Sequence, residues 1–486
     1  MLHRGRDKGN SAISLPMHNV ETKNMNEKNL MTPKARSQYK VKIYWRHILL
    51  LSCLWLFVIH YYERVVVRRA MKKCDWRRWE DWPEGSEPHR TALLADPQIM
   101  DAHSYPGRPW IVNYFTQQIL DNYHKRNWQY MQYYLDPDSN FFLGDLFDGG
   151  RRWKDEDWIQ EYNRFNKIFP KKPNRRTVMS LPGNHDIGFG DTVVESSAKR
   201  FSAYFGETSS KWDVGNHTFV LLDTISLSDT VNVNVSSIPR EFLDRFSVQA
   251  NSPRILLTHV PLWRDPQQQL CGDLRESNKY FPIMRGEQYQ TVIDEQISQE
   301  VLSKIQPEIV FSGDDHDYCH VIHPYNVDGQ SSSAEEITAK SCAMNMGIQR
   351  PAIQLLSLYN PQLPSGNGDT KTYQTNICYM PEPFKPIIVY VSTLVFTLCL
   401  IFWMSFFPSS FNVLVVRMGL KIMNTNKKTT LLPVSTKKSD EYTNSQKEVL
   451  RKYHVSETRN FYSFLVNGLA VVSIVFLIFA YHYKAF

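Results

Sequence analysis

Little of this 486-residue chain is continuously apolar. Its mean hydropathy of -0.41 describes a mostly water-facing protein, so membrane-crossing segments must be few. Cysteine is scarce as well, seven in all, and none stands at zinc-site spacing, which excludes a thiolate zinc module. No internal repeat or low-complexity tract is present, so repeat architectures are excluded too. Excess charge is small: 56 Lys and Arg against 49 Asp and Glu leave +7. That surplus sits mainly in the segments flanking the apolar runs, so nucleic-acid binding is not indicated.

The apolar runs that do exist are informative. Ile387 to Phe407 and Phe461 to Tyr483 contain no charged residue and reach the ~20 residues a bilayer core demands. A shorter run, Ile48 to Ile59, is flanked by Tyr44, Trp45, Tyr61 and Tyr62 as an interfacial aromatic belt would flank it. No small-residue cleavage site follows, so it reads as a signal anchor and not a cleaved leader. The expected spans are 47–67, 386–407 and 461–483, making the chain multi-pass. Residues 1–46 carry ten Lys/Arg against three Asp/Glu, and 409–460 carry ten against four, which places both on the cytosolic side by the positive-inside rule. Arg64, Arg68, Arg69, Lys72 and Lys73, beyond the first span, compete with that orientation.

On this reading 1–46 is a disordered cytosolic tail, 408–460 a basic cytosolic loop, and 88–375 a domain across the membrane, in the endoplasmic reticulum or the Golgi. The sequons Asn216-His-Thr218 and Asn234-Val-Ser236 fit a lumenal domain. Cys53 and Cys399 lie in spans, leaving Cys74, Cys271, Cys319, Cys342 and Cys378 in an oxidising space. Five is odd: at least one stays free or pairs elsewhere, and spacing does not assign partners.

Within the large domain, short apolar runs end in oxygen or nitrogen ligands. Thr91 to Ala95 precedes Asp96, Phe141 to Gly144 precedes Asp145, Thr177 to Gly183 precedes Asn184, Ile255 to Thr258 precedes His259, and Ile309 to Gly313 precedes Asp314 and His316. Runs this short and rich in β-branched and aromatic residues read as buried strands. Ligands in open sheets gather where strands end, so these residues can converge on one crevice. Helices are expected at 110–135, 153–168 and 285–305, a strand at 217–223 and an exposed loop at 326–340. Trp76, Trp79 and Trp82 stand among charges and suit either the membrane surface or packing on the domain, the commoner outcome.

The ordered set Asp96-x-Gln98, Gly144-Asp-x-x-Asp-Gly-Gly150, Gly183-Asn-His-Asp186, His259-x-Pro261 and Gly313-Asp-x-His316 resembles the calcineurin-like metallophosphoesterases. Any one of these motifs alone is weak; their joint order across roughly 220 residues is not. With the flanking spans, the chain is most similar to the membrane-bound phosphodiesterases that remodel GPI-anchor glycans, and among them to the fungal cell-division-control members. The resemblance implies an α/β fold, a metallophosphoesterase-type β-sandwich flanked by helices, plus about three transmembrane helices.

It also implies a two-metal site. A phosphodiester is anionic and resists neutral water; two cations about 3.5 to 4 Å apart screen that charge and lower the pKa of bound water. Asp145 occupies the family's bridging position, with Asp96 and His316 on one ion and Asn184 and His259 on the other. His185 faces the leaving group as general acid or electrostatic stabiliser. Two departures stand out. Gln98 and Asp314 occupy positions where most of the superfamily has imidazoles, and oxygens there favour hard ions, so two divalent ions, manganese first, are expected. His103 is a weaker candidate donor, and Asp148 and Asp186 are expected to orient ligands. The implied substrate is ethanolamine phosphate on a mannose of a GPI-anchor glycan or GPI-anchored protein. Alternatives are a metallophosphatase for another lipid or for phosphoprotein, and a non-catalytic metal-binding membrane protein.

Overall fold

The computed structural model describes residues 41–102, 104–246, 252–361, 371–417 and 442–484. Expectations for the tail before residue 41, for His103 and for 418–441 of the basic loop fall outside the described residues.

The described chain forms thirteen strands: β1 (His89–Leu94), β2 (Ser139–Phe142), β3 (Arg176–Val178), β4 (Ser210–Val214), β5 (His217–Leu221), β6 (Arg254–Leu257), β7 (Arg285–Gly286), β8 (Tyr289–Gln290), β9 (Ile309–Ser312), β10 (Cys319–Val327), β11 (Gln330–Thr338), β12 (Ala352–Leu358) and β13 (Tyr373–Tyr379). Two sheets carry the domain, ordered β13-β12-β1-β2-β3 and β10-β11-β9-β6-β5-β4. In the first, β1, β2 and β3 are parallel, β12 runs antiparallel to β1, and β13, antiparallel to β12, runs in the direction of β1 again. In the second, β5, β6, β9 and β11 are parallel, with β4 and β10 antiparallel at the edges.

The central strands are buried on both faces, which is why they read as unbroken apolar runs. Leu93, Phe141 and Leu356 join Phe219, Ile255 and Phe311 in a core between the two sheets. Their chain neighbours Leu94 and Phe142, together with Leu256 and Val310, belong to a second core that includes the outer helices. Phe141 stacks on Phe219 of the opposite sheet at 4.6 Å, so Phe141→Ala would cost about 3 to 5 kcal/mol. The helix Trp110–Tyr134 covers the outer face of the first sheet, its Trp128 meeting Phe142. Asp155–Ile168 packs beside it, with Asp155, Glu156 and Asp157 complementing the dipole of its first turn. The sandwich flanked by helices is therefore present.

Two expectations need correction. Residues 326–340 are not a loop: 330–338 form β11, the partner of β10 in a nine-residue-per-strand hairpin. The first half of β11 is exposed, so a polar Ser331-Ser-Ser333 stretch pairs as strand without any apolar signal. The helix expected over 285–305 begins only at Glu295, because 285–290 form the two-residue strands β7 and β8.

Among the described residues, three helices are long and apolar enough to cross a membrane: Trp45–Lys73, Phe384–Phe406 and Asn460–Lys484. The first is longer than expected, continuing through one wide π-helical turn, Tyr61–Val65, into the charged segment ending at Lys73. Ile48, Trp55, Ile401 and Val471 form a shared apolar cluster among the three, and the Trp55 indole donates to the Thr397 hydroxyl at 3.1 Å. Where the first helix meets the domain, Glu63 is buried at 2% exposure. It accepts from Asn122 at 2.8 Å and Tyr390 at 2.9 Å and pairs with Arg126. One carboxylate thus ties the first membrane helix to the second and to Trp110–Tyr134. A Cys74–Cys378 disulfide joins the end of the first membrane helix to β13, and Cys271–Cys319 closes a second loop. Cys342 stays free and buried, as an odd set requires. Trp76 and Trp82 pack on the domain, donating to the Leu135 carbonyl at 2.7 Å and the Ser357 hydroxyl at 2.8 Å.

Candidate metal centre

Each expected ligand sits just past the C-terminal end of a parallel strand, where backbone groups released from the sheet turn toward a crevice. Asp96 follows β1, Asp145 follows β2 and Asn184 follows β3, all from the first sheet; His259 follows β6, and Asp314 and His316 follow β9, from the second. The site therefore straddles the two sheets. They are stitched there by Asp314 N–H donating to Asp96 Oδ1 at 3.0 Å, while within the second sheet Gly313 N–H donates to the His259 carbonyl at 2.7 Å.

Close approach demands glycine at two of the motif positions. A Cβ on Gly183 would lie 2.1 Å from Asp145 Oδ1, and one on Gly144 would lie 2.5 Å from His259 Nδ1. Gly144 also has φ +90°, and Asp96, Gln98, Asp145, Asp314 and His316 all share positive φ. Five non-glycine residues held in that region of backbone space at one spot mark stored strain, which packing elsewhere must offset.

The side chains converge. Asp96, Asp145 and His259 offer ligand atoms within 4.8 Å of one another, all buried. His259 Nε2 lies 3.4 Å from Asp145 Oδ1 and 3.6 Å from Asp314 Oδ1. Its Nδ1 is 2.7 Å from the Leu143 carbonyl, to which it donates, so Nε2 is the nitrogen that faces the carboxylates. His316 is close enough to feel the charges of Asp314 and Asp145. Gln98 donates its amide to Asp148 at 3.0 Å and Asn184 donates to the Gln288 carbonyl at 3.3 Å.

What these contacts leave over is decisive. Asp96 Oδ2, Gln98 Oε1, Asn184 Oδ1 and His259 Nε2 are all buried without a hydrogen-bond partner. An unpaired buried polar atom costs about 1 to 3 kcal/mol, so four of them on the expected ligand residues fit atoms kept for a bound ligand. Burial pushes the Asp96 carboxyl up to about 8, against the opposing pull of His259, and the neighbouring Asp145 and Asp314 add to the rise. His259 is held up at about 10: burial lowers it, but Asp145, Asp314 and Asp96 together win. The pocket thus gathers three carboxylates around one imidazole. Oxygen and imidazole donors without thiolate fit a divalent cation of the hard-to-borderline kind.

Around the ligands, Asp186 accepts from the backbone N–H groups of Gly183, Leu146 and Phe147 at 2.9, 3.1 and 3.0 Å, fixing the Gly-Asn-His-Asp turn against the Gly-Asp loop. His185 N–H donates to Asp145 Oδ1 at 2.8 Å, and its Nδ1 lies 2.6 Å from the Asp148 carbonyl and 3.2 Å from Asp148 Oδ1. Burial works against the imidazolium, but Asp145 and Asp148 hold its pKa at about 9. Asp148 and Asp186 thus do orient their neighbours. Sequence reasoning missed Arg151, which grips the Asn184 carbonyl at 3.0 Å and Gln288 Oε1 at 2.8 Å. Its place directly after Gly149-Gly150 was a usable signal. Gln288 had none, since it reaches the site from 137 residues away. Ser341, which donates to the Asp96 carbonyl at 2.9 Å, was missed for the same reason.

Comparison with known proteins agrees with this geometry. Residues 89–318 match the calcineurin-like phosphoesterase family. Cell division control protein 1 of Saccharomyces cerevisiae is 62% identical over 454 residues, covering 91% of this chain and 92% of its own. Metallophosphoesterase 1 of Xenopus laevis is 24% identical over 75% of this chain and 90% of its own. The Cricetulus griseus protein of the same name is 27% identical over 59% and 73%. A divalent-metal crevice at the strand ends of a two-sheet sandwich, and relatives that match it over most of their length, place the chain in the calcineurin-like phosphoesterase family, as a phosphoesterase.

Proposed function

We propose that this protein is a membrane-anchored, manganese-dependent phosphodiesterase that removes ethanolamine phosphate from a mannose of the GPI-anchor glycan. The observation that carries the membrane-linked substrate is directional. The end of the first sheet that holds Asp96 is also the end where β13 stops at Tyr379, and the second membrane helix starts at Phe384. The crevice and the entry into the bilayer thus lie on one side of the domain, where the head of a lipid-anchored glycan would be met.

In this reading Asp96, Gln98, Asp145, Asn184, His259, Asp314 and His316 would together hold two divalent ions. When bound, the ions would screen the phosphate and supply an activated water. The chain's own residues do the rest. His185, with Nδ1 committed to Asp148, presents Nε2 to the leaving oxygen and gives it a proton or a positive charge. The carboxylate-rich donor set, with Gln98 and Asp314 in place of imidazoles, favours manganese over zinc. The disulfides and exposed Asn216 and Asn234 support an oxidising, glycosylating compartment such as the endoplasmic reticulum lumen, with the N-terminus cytosolic and the C-terminus lumenal.

Mass spectrometry of GPI glycans tests the substrate. Cells lacking the protein should accumulate glycans bearing an extra ethanolamine phosphate, restored by the wild-type chain and not by Asp145→Ala. An unchanged glycan profile, with hydrolysis of a synthetic phosphodiester intact, would shift the assignment to another lipid or phosphoprotein.

A further inference from the structure

A cleft of about 450 Å³, lined by none of the expected metal ligands, lies where the first membrane helix, the lead into the second and the catalytic domain meet. Arg69 and Lys73 line it from the first helix, Lys385 from the second and Arg350 from the loop before β12. Glu382 is the single carboxylate among the lining residues. Among the described residues none of the four cations is ion-paired. Arg350 lies over the Tyr379 ring at 4.0 Å and Arg69 over the Tyr61 ring at 5.8 Å, so aromatic faces hold both guanidinium groups; Arg69 Nη1 also donates a long hydrogen bond to the Tyr61 hydroxyl at 3.5 Å.

The height of this cleft is set by helix length. The first membrane helix has 29 residues, of which ~20 suffice to cross the hydrocarbon core, so its last turns with Arg69 and Lys73 stand in the headgroup layer. Lys385 stands in the first turn of the second helix, at the same level. The Cys74–Cys378 disulfide clamps the two walls together, so the cleft is preformed. A concave, preformed, cationic and aromatic surface at headgroup depth suits one ligand chemistry: a phosphodiester with a polar head above it and acyl chains below.

We infer that the cleft binds the headgroup of an anionic phospholipid, at a site separate from the metal crevice. The inference stands without the GPI reading, since binding and not turnover is its readout. The test is native mass spectrometry of the full-length, detergent-purified protein with phosphatidylinositol or phosphatidylcholine added. Wild type should retain phosphatidylinositol in preference, and the triple variant Arg69→Gln, Arg350→Gln, Lys385→Gln should lose roughly 10-fold or more of that retention, since each cation near a membrane surface contributes to it. Bound metal and melting temperature should match wild type. If the triple variant does not fold, Arg350→Gln alone should show a severalfold loss. Equal retention of the two lipids, retention undiminished in the variants, or complete displacement by millimolar inorganic phosphate would each overturn the proposal.

Discussion

Two buried acids in this protein have opposite fates. Glu63, at the head of the first membrane helix, is 2% exposed, and Asn122, Arg126 and Tyr390 satisfy it fully. Asp96, at the end of β1, is 0% exposed, yet its Oδ2 has no partner, and Asp145 and Asp314 crowd it with like charge. Burial of a carboxylate without compensation is too costly to persist as an incidental feature. The first acid is therefore an architectural pin, complete within the protein; the second keeps one oxygen available for a ligand such as a divalent cation.

The contrast is open to experiment. Asp145→Ala should break it most severely, lowering hydrolysis of a synthetic phosphodiester by more than ~10³-fold and reducing bound metal, while the unfolding transition survives. His259→Ala should behave alike, and full activity with unchanged metal content in either variant would sink the site. His185→Ala should cost ~10²- to 10⁴-fold in rate with two equivalents of metal still bound, measured by elemental analysis. Loss of metal from that variant would make His185 a ligand instead. On the architectural side, Glu63→Ala strands Arg126 in the interior and should destabilise by about 3 to 5 kcal/mol, read as a lower melting temperature at unchanged metal stoichiometry. A melting temperature equal to wild type would show that the pin carries nothing. The mildest change is Asp314→His, which should keep binding and shift metal preference from manganese toward zinc. Unaltered selectivity and rate would remove Asp314 from the ligand set.

Much of the catalytic half was readable because each ligand follows a strand buried on both faces. Phe141-Phe142 before Asp145 and Ile255 to Leu257 before His259 have no polar alternation to confuse strand with surface. The metal motifs added order, so Asp96, Asp145, Asn184 and His259 could be placed together before any coordinates. The β10–β11 hairpin was not readable. β11 opens on exposed serines and is held by backbone pairing to β10 and β9, a signal that composition does not carry. The length of the first membrane helix was hidden similarly: Glu63 and Arg64 look like the end of a span, yet Glu63 is neutralised by Asn122 and Arg126 from a helix some sixty positions later. Gln288 and Ser341 reach the crevice only through tertiary folding. Long-range partners leave no local pattern for the eye to find.

The short connection between Tyr379 and Phe384 works as a ruler. Five Cα steps span at most about 18 Å, so the crevice cannot rise or swing far from the bilayer plane that the second helix fixes. For the membrane-linked substrate proposed above, search then becomes two-dimensional, and speed would follow how densely that substrate is spread over the membrane, not how much is present in the volume. Diluting the surface with inert detergent at constant total substrate should slow the reaction, while a soluble ester small enough to diffuse in would be turned over at the same rate throughout.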